Sequence, residues 1–317
     1  MTTPRAPAPA SRISPVDAAG EAIEYTKRNL FPFRFDRWLA LGFVAFLDQC
    51  GRTGGANFQY RRGIGGGGSS GLPDMSAVTG WLGSHVALVV ALAAVALVFI
   101  VALAVLATWL NSRGAFMYID NVATGRADVA RPWREHAERA RSLFAWRLVL
   151  SIATLIGVFV LICLAGLLAV AYAKGWLAGA AALAMGLLVL LPVFFIVLLA
   201  FGLGSMLLRD FVAPLQWRLG VSCGDAARVF WPVVKANSGS VAIYAALKLL
   251  LGIAVAIASI AVGCVTCCLG FLPVVSQTLL QPLFYFERTW SLVFLRQLGY
   301  DVFAPWAPSS LPAAPAS

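Results

Sequence analysis

Charge is scarce in this sequence. Asp, Glu, Lys and Arg together make up 12% of its 317 residues, about half the share of a soluble domain. That scarcity, with 60% hydrophobic residues and a mean hydropathy of +0.83, excludes an ordinary water-soluble globule and a disordered chain. Histidine is nearly absent: there are 2, His85 and His136, expected on opposite faces of a membrane, too few and too far apart for a histidine-built metal site. The 6 cysteines, Cys50, Cys163, Cys223, Cys264, Cys267 and Cys268, fall mostly in or beside apolar runs and do not form a soluble disulfide framework. The single C-x-x-C at Cys264–Cys267 has no second pair to complete a zinc set. No nucleophile elbow, P-loop, H-E-x-x-H or paired catalytic carboxylates occur. No cofactor is expected. The N-terminal arm, rich in Pro, Ala and Ser, has no apolar core of a signal peptide, so the first apolar segment is expected to remain as an anchor.

Long apolar runs dominate what is there. About 20 apolar residues cross a bilayer as a helix, and continuous rather than alternating runs read as helices. The expected fold is all-α, a polytopic membrane helix bundle with six transmembrane helices. Four spans are plain: Val86–Leu110, Leu148–Ala173, Leu177–Leu208 and Val241–Leu269. Phe271–Leu295 is a fifth, carrying Glu287 and Arg288. Arg34–Gly51 is a sixth, just long enough with its charges at the interfaces; read instead as a re-entrant or interfacial helix, it would leave five. The membrane domain then covers residues 14–303, between a disordered tail at 1–13 and a Pro/Ala tail at 304–317. The stretch 51–72 holds nine glycines and reads as a flexible outer loop. Its formal G-x-G-x-x-G follows no strand and opens no helix, so it is no dinucleotide fingerprint.

Lys and Arg outnumber Asp and Glu by 24 to 14, a net charge of +10. In a six-span topology with both termini cytoplasmic, 18 basic residues lie inside and four outside (Arg52, Arg61, Arg62 and Lys174), as the positive-inside rule requires. The excess therefore reads as contact with anionic inner-leaflet lipids rather than with nucleic acid.

Three cytoplasmic segments share a frame: Ser14-Pro15-Val16-Asp17, Gly125-Arg126-Ala127-Asp128 and Ser222-Cys223-Gly224-Asp225. Each offers a helix cap followed by an Asp that meets unpaired N–H groups. The pattern predicts three repeats of an amphipathic helix (Pro15–Asn29, Arg126–Leu143, Cys223–Ala236) plus a membrane hairpin. These helices are expected on the inner leaflet, with Trp133, Phe230 and Trp231 at headgroup depth, where an unknown protein partner could also dock.

Ionisable groups inside a span are costly and mark sites. Lys248 and Glu287 lie at matching depths on antiparallel neighbours, predicting an ion pair, with Arg288 on another face or snorkelling. Gln277 and Gln281 make the last span the most polar. Lys248, Gln277, Gln281, Glu287 and Arg288 are thus the candidate intramembrane polar site; no catalytic, cofactor or metal residue is assigned. A pairing of Cys50 with Cys264, Cys267 or Cys268 stays open, beside the default of buried thiols. Pro192, Pro273, Gly202 and Gly204 allow broken helices or ordinary membrane packing.

The opening Ser14-Pro15-Val16-Asp17, the segment Phe31–Leu41, and Arg209–Gly224 leading into Phe230-Trp231-Pro232 resemble a group of uncharacterised bacterial multi-pass membrane proteins. That group is similar in layout to the membrane domain attached to some glycerophosphodiester phosphodiesterases. The resemblance implies a membrane location and carries over no catalytic residue. The expected role is a non-enzymatic accessory or scaffold protein of the inner membrane. A small-solute or lipid transporter using Lys248 and Glu287 is the alternative, and a membrane enzyme the third reading.

Overall fold

The structure, a computed structural model, describes residues 13–50, 85–175, 180–266, 272 and 274–303. The glycine-rich stretch, both tails, Pro273, Cys267 and Cys268 lie outside the described residues.

Every described element is helical. Helices α1 (Pro15–Leu30) and α2 (Phe35–Gln49) precede α3 (Val86–Thr124). A short α4 (Ala130–Glu135) leads into α5 (Ala137–Ala173). Helix α6 (Ala180–Leu207) passes through a π-helical turn, Leu208–Val212, into α7 (Ala213–Leu219). Then come α8 (Cys223–Ala236), α9 (Ser238–Val265), α10 (Val275–Leu279) and α11 (Gln281–Gln297).

Local chemistry sets the boundaries. Ser14 caps α1 by accepting the Asp17 N–H at 3.2 Å, with Pro15 at the first helical position. Ser222 caps α8 by accepting the Asp225 N–H at 3.3 Å. Both caps and both Asp positions are those expected from the repeat frame. We expect Ser14→Ala and Ser222→Ala each to cost about 1 kcal/mol in thermal unfolding of the detergent-solubilised protein.

The second copy of the frame departs from expectation. Gly125 ends α3 instead of opening a helix: it adopts φ +65° and donates its N–H to the Asn121 carbonyl, the left-handed C-cap that glycine reaches without a Cβ penalty. Asp128 is held outside any helix by the Asn121 side chain, which accepts the Asp128 N–H and donates to its carbonyl, both at 2.8 Å. The expected helix Arg126–Leu143 is in fact the six-residue α4 followed by the first turns of α5, which runs on unbroken into the apolar stretch.

Four helical stretches are long and apolar enough to cross a membrane: Val86–Thr124, Ala137–Ala173, Ala184–Leu219 and Ser238–Val265. The most apolar window of each is 0% buried. In water such surface would be untenable; in a bilayer it is what lipid-facing helices present. Helices α5 and α6 pack along their lengths, with Gly157 facing Val197 and Phe201, and Gly204 facing Leu150. Pro192 sits inside α6 without ending it, since a missing backbone bond is tolerated in a membrane helix.

The other two expected spans differ from these four. Helix α2 has 15 residues, about 22 Å at helical rise. It runs antiparallel to the foot of α3: Arg37 donates to the Gly125 carbonyl at 2.7 Å, and the Asn111 amide donates to the Asp48 carbonyl. The span expected over Phe271–Leu295 is broken at Leu280 into α10 and α11.

The packed core gathers at one end of the long helices. It contains Leu41, Val44, Phe116, Tyr118, Ile119, Phe211, Leu215, Tyr244, Phe294 and Leu295. Aromatic rings organise it. Phe211 stacks on Phe230 with centroids 5.0 Å apart, and Tyr244 stacks on Phe294 at 4.9 Å, within the favourable range for ring pairs. Helix α11 crosses the ends of α3, α6 and α9, touching Tyr118, Arg209 and Tyr244.

Candidate functional site

The apolar run of each long helix stops at a polar residue: Asn111 and Arg113 on α3, Arg147 on α5, Arg209 and Asp210 after α6, and Lys248 on α9. Contacts join Asn111, Arg147, Arg209, Asp210 and Lys248 at a common junction. Arg147 donates to Asn111, and Asn111 to the end of α2.

At the centre lie six charged side chains from α2, α9, α11 and the π-helical turn. Asp48, 0% exposed, receives both Arg209 Nη2 at 2.8 Å and Arg288 Nη2 at 2.7 Å on its Oδ2. Arg209 Nη1 also donates to Glu287 Oε1 at 2.7 Å. Lys248 Nζ sits 2.9 Å from Asp210 Oδ2 and 3.3 Å from Glu287 Oε1. The Tyr244 hydroxyl donates to Asp210 Oδ2 at 3.1 Å, and Arg288 Nη1 to the Arg209 carbonyl at 3.0 Å. Three carboxylates meet three cations, so the cluster is neutral. That balance is what makes burial tolerable: an isolated charge mid-membrane costs about 2.5–3.5 kcal/mol on insertion scales, and burial is offset only by pairing and hydrogen bonding.

The candidate residues are distributed unevenly over this arrangement. Lys248 and Glu287 form the ion pair expected of them. Arg288 turns to another face, as one expected alternative had it, but it does not snorkel: it is 1% exposed and stacks its guanidinium 5.9 Å from the Tyr118 ring. Gln281 is buried and donates to the Tyr118 hydroxyl at 3.2 Å. Gln277 is buried on α10, outside the charged cluster, with no partner for its Oε1. Sequence reasoning missed Asp48, Arg209, Asp210 and Tyr244. The signal was there for two of them. Arg209-Asp210 is an opposite-charge pair abutting an apolar run, which a reading of span ends files as a cytoplasmic flank.

A cavity of about 300 Å³ opens beside the cluster between α6 and α9, lined by Gly202, Ser205, Met206, Arg209, Asp210, Lys248, Gly252 and Glu287. Its rim residues Gly202, Ser205 and Gly252 are exposed. At its floor the Lys248 and Glu287 side chains are 10% and 13% exposed. Such a floor presents a donor cation and an acceptor anion side by side.

A second polar group surrounds His136, which is buried rather than in an open loop. Its Nε2 is 3.4 Å from Asp120 Oδ1 and accepts from Trp217 Nε1 at 3.2 Å, while Arg139 Nη1 lies 3.0 Å from Nδ1. Arg131 pairs with Asp120, Asp128 and Glu135. This cluster staples the feet of α3, α5 and α7. Among the described residues no group of three His, Cys, Asp or Glu side chains is placed to hold a metal.

Cys50 and Cys264 are free thiols and do not pair with each other. Cys223, buried at the start of α8, has its thiol pushed up to about 11 by burial, against a weaker lowering by Arg147. At pH 8 only about a thousandth of it is thiolate, the reactive form. Iodoacetamide at that pH should label Cys264, exposed at the far end of α9, in detergent solution and leave Cys223 unmodified until the protein is unfolded, as peptide mass mapping would record.

Residues 13–304 match the model of a family of unknown function (DUF7544). The match establishes no link to the glycerophosphodiester phosphodiesterase membrane domain. No curated protein and no solved structure matches the chain.

Proposed function

The chain belongs to the DUF7544 family of unknown function, and from that premise we propose that it is a non-enzymatic, multi-pass scaffold of a bacterial inner membrane. The observation that carries this reading is the neutral cluster of Asp48, Asp210, Glu287, Arg209, Lys248 and Arg288. Its charges are spent on one another, locking four segments of the chain together.

Six passages with both termini on the cytoplasmic side fit this reading. His85 and Val265 are the far ends of α3 and α9, about 39 Å and 26 Å from Asn111 and Lys248 at helical rise. Asp48 and Glu287 both lie at the junction. Two further passages, one between Asp48 and His85 and one between Val265 and Glu287, would account for these placements. Reporter fusions after Gly125 and Leu219 should be cytoplasmic, and one after Lys174 exported. The reverse pattern would remove the topology.

The scaffold itself would dock a partner on α1 and α8, whose Val16, Ile23 and Trp231 are exposed, above anionic inner-leaflet lipids. In native gels of membranes the chain should migrate in a complex larger than itself, and Val16→Ser, Ile23→Ser and Trp231→Ser together should release it. Migration as an unchanged single chain in both cases would sink the scaffold.

A small-solute or lipid transporter is the second reading, favoured by the cavity that reaches Glu287. Solute or lipid flux through proteoliposomes, abolished by Lys248→Met, would put it first.

A further inference from the structure

We propose that the cavity between α6 and α9 binds the headgroup of a zwitterionic phospholipid of the phosphoethanolamine type. Its volume of about 300 Å³ lies at the lower end of small-ligand sites. Its mouth opens between helices whose neighbouring residues, Leu199, Leu203, Leu249 and Ile253, are exposed and apolar. Acyl chains would lie there, while only a polar head reaches the floor.

The floor decides the chemistry. Arg209 and Lys248 supply two cations, Asp210 and Glu287 two anions. A purely anionic headgroup would meet as much repulsion as attraction. A zwitterion can set its phosphate against Lys248 and its ammonium against Glu287, the two floor groups with exposed surface, adding to the pairs they already make rather than replacing them. Arg209 retains a buried donor, Nε, with no hydrogen-bond partner.

The glycines at the rim are a separate observation. A Cβ built on Gly202 or on Gly252 meets nothing within 4 Å. No packing contact demands glycine at either place, although glycine costs a helix about 1 kcal/mol against alanine. What the missing side chains preserve is the opening itself.

The same fact provides a clean test. A Cβ at either position has open space around it, so Gly202→Leu and Gly252→Leu are expected to fold normally while adding bulk at the rim. The full chain is reconstituted in nanodiscs of equal phosphatidylethanolamine and phosphatidylglycerol, then transferred to detergent and weighed by native mass spectrometry. Phosphatidylethanolamine should be retained at least tenfold over phosphatidylglycerol. Retention should fall about tenfold in Gly252→Leu and Gly202→Leu at unchanged melting temperature. Lys248→Met should lower it too, but that variant breaks ion pairs and stands second to the leucine variants. Equal retention of the two lipids, or retention unaltered by both leucines, overturns the proposal. Soluble glycerophosphoethanolamine is the remaining arm. If it displaces the lipid at equimolar concentration, the site belongs to a free polar solute and the lipid assignment fails. Lipid retention is read independently of complex formation, so this result and the scaffold reading stand or fall separately.

Discussion

Asp48→Ala should be the most damaging single substitution in the protein, costing about 3–5 kcal/mol, the usual penalty for removing one partner of a buried ion pair. The reason is what it abandons. Arg209 and Arg288 share one oxygen of Asp48. Without it the cluster holds three cations against two carboxylates, and Arg288 keeps only the Arg209 carbonyl and the face of Tyr118. The thermal midpoint in detergent should fall on the order of 10 °C. The cluster also predicts its own rescue. Arg288→Met in the Asp48→Ala background restores two charges of each sign and should recover part of the loss, a coupling measurable as a double-mutant cycle. If Asp48→Ala alone melts like the parent, the cluster does not hold the fold together. The ion pairs are not thereby a large net source of stability: a well-packed apolar replacement of the whole set would do as well. What the pairs supply is register, because each charge accepts only the partner geometry that α2, the π-helical turn, α9 and α11 provide.

The second large effect is steric. Gly114 lies on α3 where α2 crosses, and a Cβ there would be driven into the backbone of Leu47 and Asp48. Backbone cannot step aside as a side-chain tip can. Gly114→Val should therefore push α2 off α3, costing at least the 1–3 kcal/mol typical of overpacking. It should also displace Asp48, so its effect will not add to that of Asp48→Ala. Gly166 provides the contrast. A Cβ there meets nothing within 4 Å, so Gly166→Ala should be neutral or raise helix stability by up to about 1 kcal/mol. Thermal melts of the two variants side by side separate a glycine needed for close approach from one that is merely tolerated; equal melts would remove the steric argument.

The features legible in the sequence were those that a single segment determines. Apolar runs of helical length located α3, α5, α6 and α9. The serine caps of α1 and α8 were readable because a cap needs only the residue and the N–H three positions on. The Lys248–Glu287 pair could be expected because both lie on consecutive antiparallel segments. The rest depended on segments far apart. Asp48 is 161 positions from Arg209 and 240 from Arg288, and no local pattern selects that partner among others. Gly125 misled for a physical reason: glycine suits both the start and the end of a helix, and only its φ of +65° tells them apart. The π-helical turn at Leu208–Val212 has no sequence signature of its own.

The long helices are ordered around one end and carry apolar windows of unequal reach. Val86–Leu110 offers about 37 Å at helical rise, whereas Leu249–Val265 beyond Lys248 offers only about 25 Å, against a hydrocarbon thickness of about 30 Å. The longer helix must tilt and the shorter must draw the leaflets together, at fractions of a kcal/mol per ångström. Seated by its junction, this protein would leave the bilayer asymmetrically deformed, pinched beside α9 and full elsewhere, so its preferred surroundings would change with the acyl-chain length of the host membrane.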